Sequence, residues 1–94
     1  MRKLSHNEIL ELRACKNMDN GRGEFFIRCK DFYKDDAEAT ERISKLENLY
    51  ENVSEIPFTN TSAYGAYMKS LEMYYQQMDE FLAEVGYTAS DEED

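Results

Sequence analysis

The sequence predicts a mainly α fold, a small helical bundle built on an antiparallel helical hairpin with a short helix before it. Three observations predict this. Ser5 is followed three residues later by Glu8, the pattern of a capping box. Two long stretches, 35–55 and 61–85, repeat apolar residues at spacings of three and four, the period of one helical face. One proline and four glycines in 94 residues leave those stretches unbroken.

The first helix is expected from His6 to about Asn17. Ser5 is its N-cap, and Leu4 and Ile9 occupy the N′ and N4 positions of a hydrophobic staple. The segment 17–23, NMDNGRG, then reads as a turn, with Asn20-Gly21 supplying positive φ.

The stretch EFFIRCKDF, 24–32, admits two readings. As a helix, Phe25, Cys29 and Phe32 share a seam, with Phe26 and Ile27 off it. As a strand, Phe25, Ile27 and Cys29 share a face. The strand would pair with Leu10–Lys16 across the turn. The alternative fold is therefore α+β, with a β-hairpin in residues 8–32 packed on the two long helices.

The long hairpin is better signalled. Asp35 can cap its first helix with Glu38 at N3. Ala39, Ile43, Leu46, Tyr50 and Val53 form the seam. Pro57 forces an extended residue before it and ends the helix. Asn60 or Thr61 caps the second helix, whose seam is Tyr64, Tyr67, Leu71, Tyr74, Met78, Phe81 and Val85. Gly86 stands where a left-handed residue closes a helix, and Tyr87 can fold back on Phe81 or Leu82. Residues 1–87 read as one small domain. Residues 88–94, TASDEED, read as an acidic, disordered tail with no core residue to anchor it.

Charge is the most informative feature for function. The net charge is −9, and it is uneven. Residues 1–45 carry 10 Lys/Arg against 9 Asp/Glu, whereas residues 46–94 carry 11 Asp/Glu against Lys69 alone. Ordinary surfaces mix signs, because a one-sign field repels itself. Glu47, Glu51 and Glu55 recur every four residues in one row, and Glu72, Asp79, Glu80 and Glu84 form a second. Like charges at this spacing cost a few tenths of a kcal/mol per pair. These seven carboxylates are the expected contacts to a basic partner. Direct nucleic-acid binding and anionic membranes are disfavoured, since the face repels both.

Tyr64, Tyr67, Tyr74 and Tyr75 lie within an arc of roughly 100° on the last helix. An aromatic stripe at this spacing packs as core. Four phenols, each needing a hydrogen-bond partner, also suit a face shared with another chain.

Enzymatic readings find little support. His6 is the sole histidine and opens a helix. Cys15 and Cys29 lack CxxC spacing and read as reduced thiols. No zinc, calcium or phosphate-loop pattern occurs, so neither a catalytic residue nor a cofactor is expected. The start MRKLSHNEIL has no apolar run of the kind a signal peptide carries, which makes the cytoplasm the expected location.

The functional expectation is a small acidic inhibitor or adaptor that docks on a basic protein, such as a nucleic-acid-binding protein or nuclease complex. In its sharpest form it mimics nucleic acid. Phage anti-defence proteins, anti-CRISPR proteins among them, and toxin immunity proteins are often small and acidic in this way, an analogy of size and charge alone. The alternative is a homo-oligomeric structural or assembly protein, a homodimer at its simplest, joined through the tyrosine face.

Overall fold

The computed structural model describes residues 1–55 and 61–87, without the side chains of Lys16, Glu55 and residues 61–63. The chain forms α1 (His6–Ala14), a 3-10 turn (Cys15–Asn17), α2 (Gly21–Phe32), α3 (Ala37–Glu55) and α4 (Thr61–Val85). The fold is a helical bundle with no strand among the described residues. No described helix is long and apolar enough to cross a membrane.

The capping box forms at the start of α1. The Glu8 N–H donates to Ser5 Oγ at 3.2 Å, and the Ser5 N–H donates to Glu8 Oε1 at 2.8 Å. Arg2 adds a fork onto the same carboxylate, Nη1 to Oε1 at 2.8 Å and Nη2 to Oε2 at 2.7 Å. This fork holds the Glu8 carboxyl at about 2, well below its ordinary 4.5. Leu4 is buried and Ile9 packs against the core, as a staple requires.

The β-hairpin alternative is overturned over residues 8–32. Asn20 and Gly21 do not adopt positive φ, and Gly21 opens α2 instead. The physical reason lies in the buried face. Phe26, Cys29 and Tyr33, at spacings of three and four, bury almost completely against the other helices. Ile27, which a strand would have placed inward with Phe25 and Cys29, is 57% exposed. A two-stranded ribbon also leaves edge groups unpaired that a helix satisfies internally.

The cap of α3 falls one residue later than the sequence suggests. Asp36, not Asp35, accepts from the Ala39 N–H through Oδ1 at 3.1 Å. The Thr40 hydroxyl reaches the Asp36 and Tyr33 carbonyls at 2.9 and 3.0 Å and fastens this corner to the end of α2. The expected Pro57 break, the Asn60 cap and the 88–94 tail lie outside the described residues.

The C-terminus of α4 is as expected. Gly86 has φ +84°. The Tyr87 N–H donates to the Leu82 carbonyl at 2.9 Å, and the Gly86 N–H to the Ala83 carbonyl at 3.3 Å. These are the two bonds of a Schellman motif, and Tyr87 is buried beside them.

Cross-helix pairs fix the directions. Glu11 meets Arg28, Lys30 meets Glu47, and Arg42 meets Glu84. With the contacts Arg2–Phe32, Tyr33–Thr40 and Tyr50–Tyr74, the later number falls as the earlier one rises in every helix pair, so each helix runs antiparallel to the next. The core runs through all four, from Leu12 through Phe26, Cys29 and Tyr33 to Ile43, Leu46, Tyr74, Phe81 and Val85. Residues 2–4 weld one end of the bundle. The Leu4 N–H donates to the Val85 carbonyl at 2.8 Å. The Tyr33 hydroxyl donates to the Arg2 carbonyl at 2.8 Å, and Arg2 Nη2 donates to the Phe32 carbonyl at 2.9 Å.

Candidate functional site

The two acidic rows are divided by their partners. Glu47 receives Lys30 Nζ at 2.7 Å, so its carboxylate turns toward α2. Glu84 pairs with Arg42 and turns toward α3. On α3, residues 42 and 47 are roughly 140° apart around the helix axis, so these two acids engage opposite flanks. Glu51, Glu72, Asp79 and Glu80 are exposed and have no ion pair among the described residues. Glu72 and Asp79 lie on nearly one line of α4, about 10 Å apart, and Glu80 is turned by about 100° from Asp79. Glu55 ends α3, and its side chain lies outside the described residues.

The cations of the chain are largely engaged elsewhere. Arg2 holds Glu8, Arg28 reaches Glu11 and Glu24, and Lys45 sits 3.6 Å from Glu41. Lys69 is exposed on α4. Lys30 and Arg42 of the first half thus take in Glu47 and Glu84, and Glu51, Glu72, Asp79 and Glu80 are left to solvent.

The tyrosines divide as well. Tyr74 is core, 3% exposed, and Tyr67 is half-buried. Tyr64 and Tyr75 are 53% and 54% exposed. Met68 and Met73 are exposed on the same helix. Single exposed apolar residues are ordinary, but Tyr64, Met68 and Tyr75 follow one another at spacings of four and seven and share a side.

Between α2, α3 and α4 lies a cleft of about 470 Å³, lined by Arg22, Tyr50, Val53, Ser54, Tyr67, Leu71, Tyr74 and Tyr75. A second cleft of about 460 Å³ shares Arg22 and Tyr50 with it and extends past Cys15 and Phe25. The Arg22 guanidinium stands 5.8 Å from the Phe25 ring, 5.9 Å from Tyr50 and 5.8 Å from Tyr74. The Tyr74 hydroxyl is buried with no hydrogen-bond partner. Burial pushes its pKa up, against a lowering pull from the Arg22 charge.

Sequence reasoning placed Tyr50 and Tyr74 on helical seams but assigned nothing to Arg22. The segment around Arg22 reads as a turn, and a turn arginine carries no signal for the rings that surround it. The hidden information is tertiary, because Tyr50 and Tyr74 reach Arg22 from two other helices.

Both cysteines are free and buried. Burial pushes the Cys29 thiol up to about 12, so it is a packing residue rather than a nucleophile. Among the described residues no group of three His, Cys, Asp or Glu could hold a metal ion.

No family model, curated protein or solved structure matches the chain.

Proposed function

We propose that the protein is a small acidic binding protein, an inhibitor or adaptor, that docks α3 and α4 on a basic surface of another protein. One observation carries the reading. Glu51, Glu72, Asp79 and Glu80 remain exposed without an internal cation among the described residues, and residues 46–94 offer Lys69 alone to neutralise them. A surface kept only for solubility is more economically built with Glu/Lys pairs, which are mildly stabilising. An unneutralised one raises the rate of encounter with a cationic partner.

The reading favours a docking patch over strict mimicry of nucleic acid. One DNA strand presents a charge every ~3.4 Å. Along α4, Glu72 and Asp79 are about 10 Å apart, and Glu47 and Glu84 are engaged internally. A basic groove of a nucleic-acid-binding protein or nuclease complex is the fitting counterpart, met at a few points rather than along a ladder.

The second reading, self-association through tyrosines, is favoured by the exposure of Tyr64 and Tyr75. One experiment separates the two. The tagged protein is used to capture a partner at low salt, alongside the Glu51→Lys/Glu80→Lys variant and the Tyr64→Ser/Tyr75→Ser variant, with sedimentation of each alone. Docking through carboxylates predicts a captured protein that is lost at high salt and lost with the charge reversals, with far-UV circular dichroism unchanged. Unaltered capture by the folded charge-reversed protein sinks the assignment. A salt-insensitive dimer dissolved by the serine changes establishes the second reading instead.

A further inference from the structure

The cleft among α2, α3 and α4 has the features of a ligand site, and nothing in the docking of an acidic surface uses it. Its volume of about 470 Å³ falls within the range of small-molecule pockets, and such pockets are apolar with a few convergent polar groups. Two such groups are present. Arg22 is a permanent cation with donors only. Among the described residues it meets rings, not a carboxylate. The Tyr74 hydroxyl is a second donor, fully buried and unpartnered. The two are close enough for the Arg22 charge to act on the phenol.

An unpartnered buried hydroxyl carries a desolvation cost of about 1–3 kcal/mol. Arg22 is exposed at the mouth of the cleft with its guanidinium within 6 Å of three rings, where it can meet an acceptor that enters. Both groups call for an acceptor, and the charge calls for an anionic one. The remaining walls are three tyrosines, with Tyr75 half open at the edge, together with Val53, Leu71 and Ser54. They suit a planar ring offset against them. Polyanions are disfavoured by the net charge of −9. We infer that this cleft binds a small aromatic monoacid, whose carboxylate is taken by Arg22 and the Tyr74 hydroxyl while its ring lies against the tyrosines.

The test uses the full chain, labelled with nitrogen-15 and titrated with naphthalene-2-carboxylate and, separately, with its neutral carboxamide. The acid is expected to shift the amide signals around Arg22, Tyr50 and Tyr74 and to bind at least about tenfold tighter than the carboxamide, the worth of one charge-assisted bond. Arg22→Gln should abolish that preference and leave carboxamide binding unchanged. Tyr74→Phe should weaken the acid severalfold. The charge-reversed Glu51→Lys/Glu80→Lys protein should bind the acid at least as well as the parent, which separates this site from the acidic docking surface. The inference is overturned by equal affinity for acid and carboxamide, by undiminished acid binding in Arg22→Gln, by signals that move only elsewhere, or by no binding at millimolar acid.

Discussion

Where α4 finishes, polar groups from distant parts of the chain find one another; beside Arg22, at the opposite end of α2, the Tyr74 hydroxyl finds no partner. At the first end, Leu4 bonds Val85, Tyr33 bonds Arg2, Arg2 bonds Phe32, and Gly86 closes the helix. At the second end, Tyr75 is exposed and the Tyr74 hydroxyl has no partner. Val85 and Tyr74 belong to the same helix and share one seam. Satisfaction of polar groups, rather than apolar periodicity, thus distinguishes two regions that the seam alone would make alike. Stability is expected to be concentrated where the groups are paired.

The strongest way to break this comparison is to truncate one ring at each end. Phe81 is 1% exposed and Tyr75 is 54% exposed. Phe81→Ala is expected to cost about 3–5 kcal/mol, a large part of what so small a domain has. Tyr75→Ala should stay within about 0.5 kcal/mol. Urea unfolding of both variants measures the contrast, and comparable losses would mean that the open end is as tightly built as the closed one.

A subtler probe removes one oxygen from each end. Tyr33→Phe loses the bond to the Arg2 carbonyl and should destabilise by about 1 kcal/mol. Tyr74→Phe removes a buried hydroxyl that has no partner and should be neutral or stabilising by up to about 1 kcal/mol. Melting temperatures moving in the same direction and by the same amount would erase the distinction.

The smallest effect is expected in acid. Glu8 has a folded pKa of about 2 against an ordinary 4.5, chiefly because Arg2 bonds its ionised form. A depressed carboxylate contributes stability in full above its unfolded value and loses it as pH falls toward the folded one. The stability gap between the parent and Glu8→Gln should therefore be constant above about pH 5 and close between pH 4.5 and 2. Thermal melts across that range measure it, and a gap that persists unchanged at pH 2 would show that the arginine fork is not its source.

Much of the fold was legible. The Ser5–Glu8 pair, the 39–53 seam with Tyr50 at its edge, the 67–85 seam without the exposed Tyr64, and the Gly86 stop all act over one or two turns, so local spacing encodes them. Residues 24–32 were not legible, because Phe25, Phe26 and Ile27 are consecutive and suit either period. Only the packing of Phe26 and Tyr33 against other helices decides for α2. The fate of the acids was hidden for a related reason. Lys30–Glu47 and Arg42–Glu84 join residues 17 and 42 positions apart, and no rule of neighbouring residues predicts such pairs. Arg22 was missed in the same way, since its rings come from three helices.

The weld between residues 2–4 and the close of α4 has a kinetic corollary. Lys3 and Ala83, which meet there, are 80 residues apart in the chain. The entropy of closing so long a loop must be overcome before the contact rewards it. During synthesis residues 2–4 must therefore wait, unlatched, until α4 has been made, and this side of the bundle is sealed late.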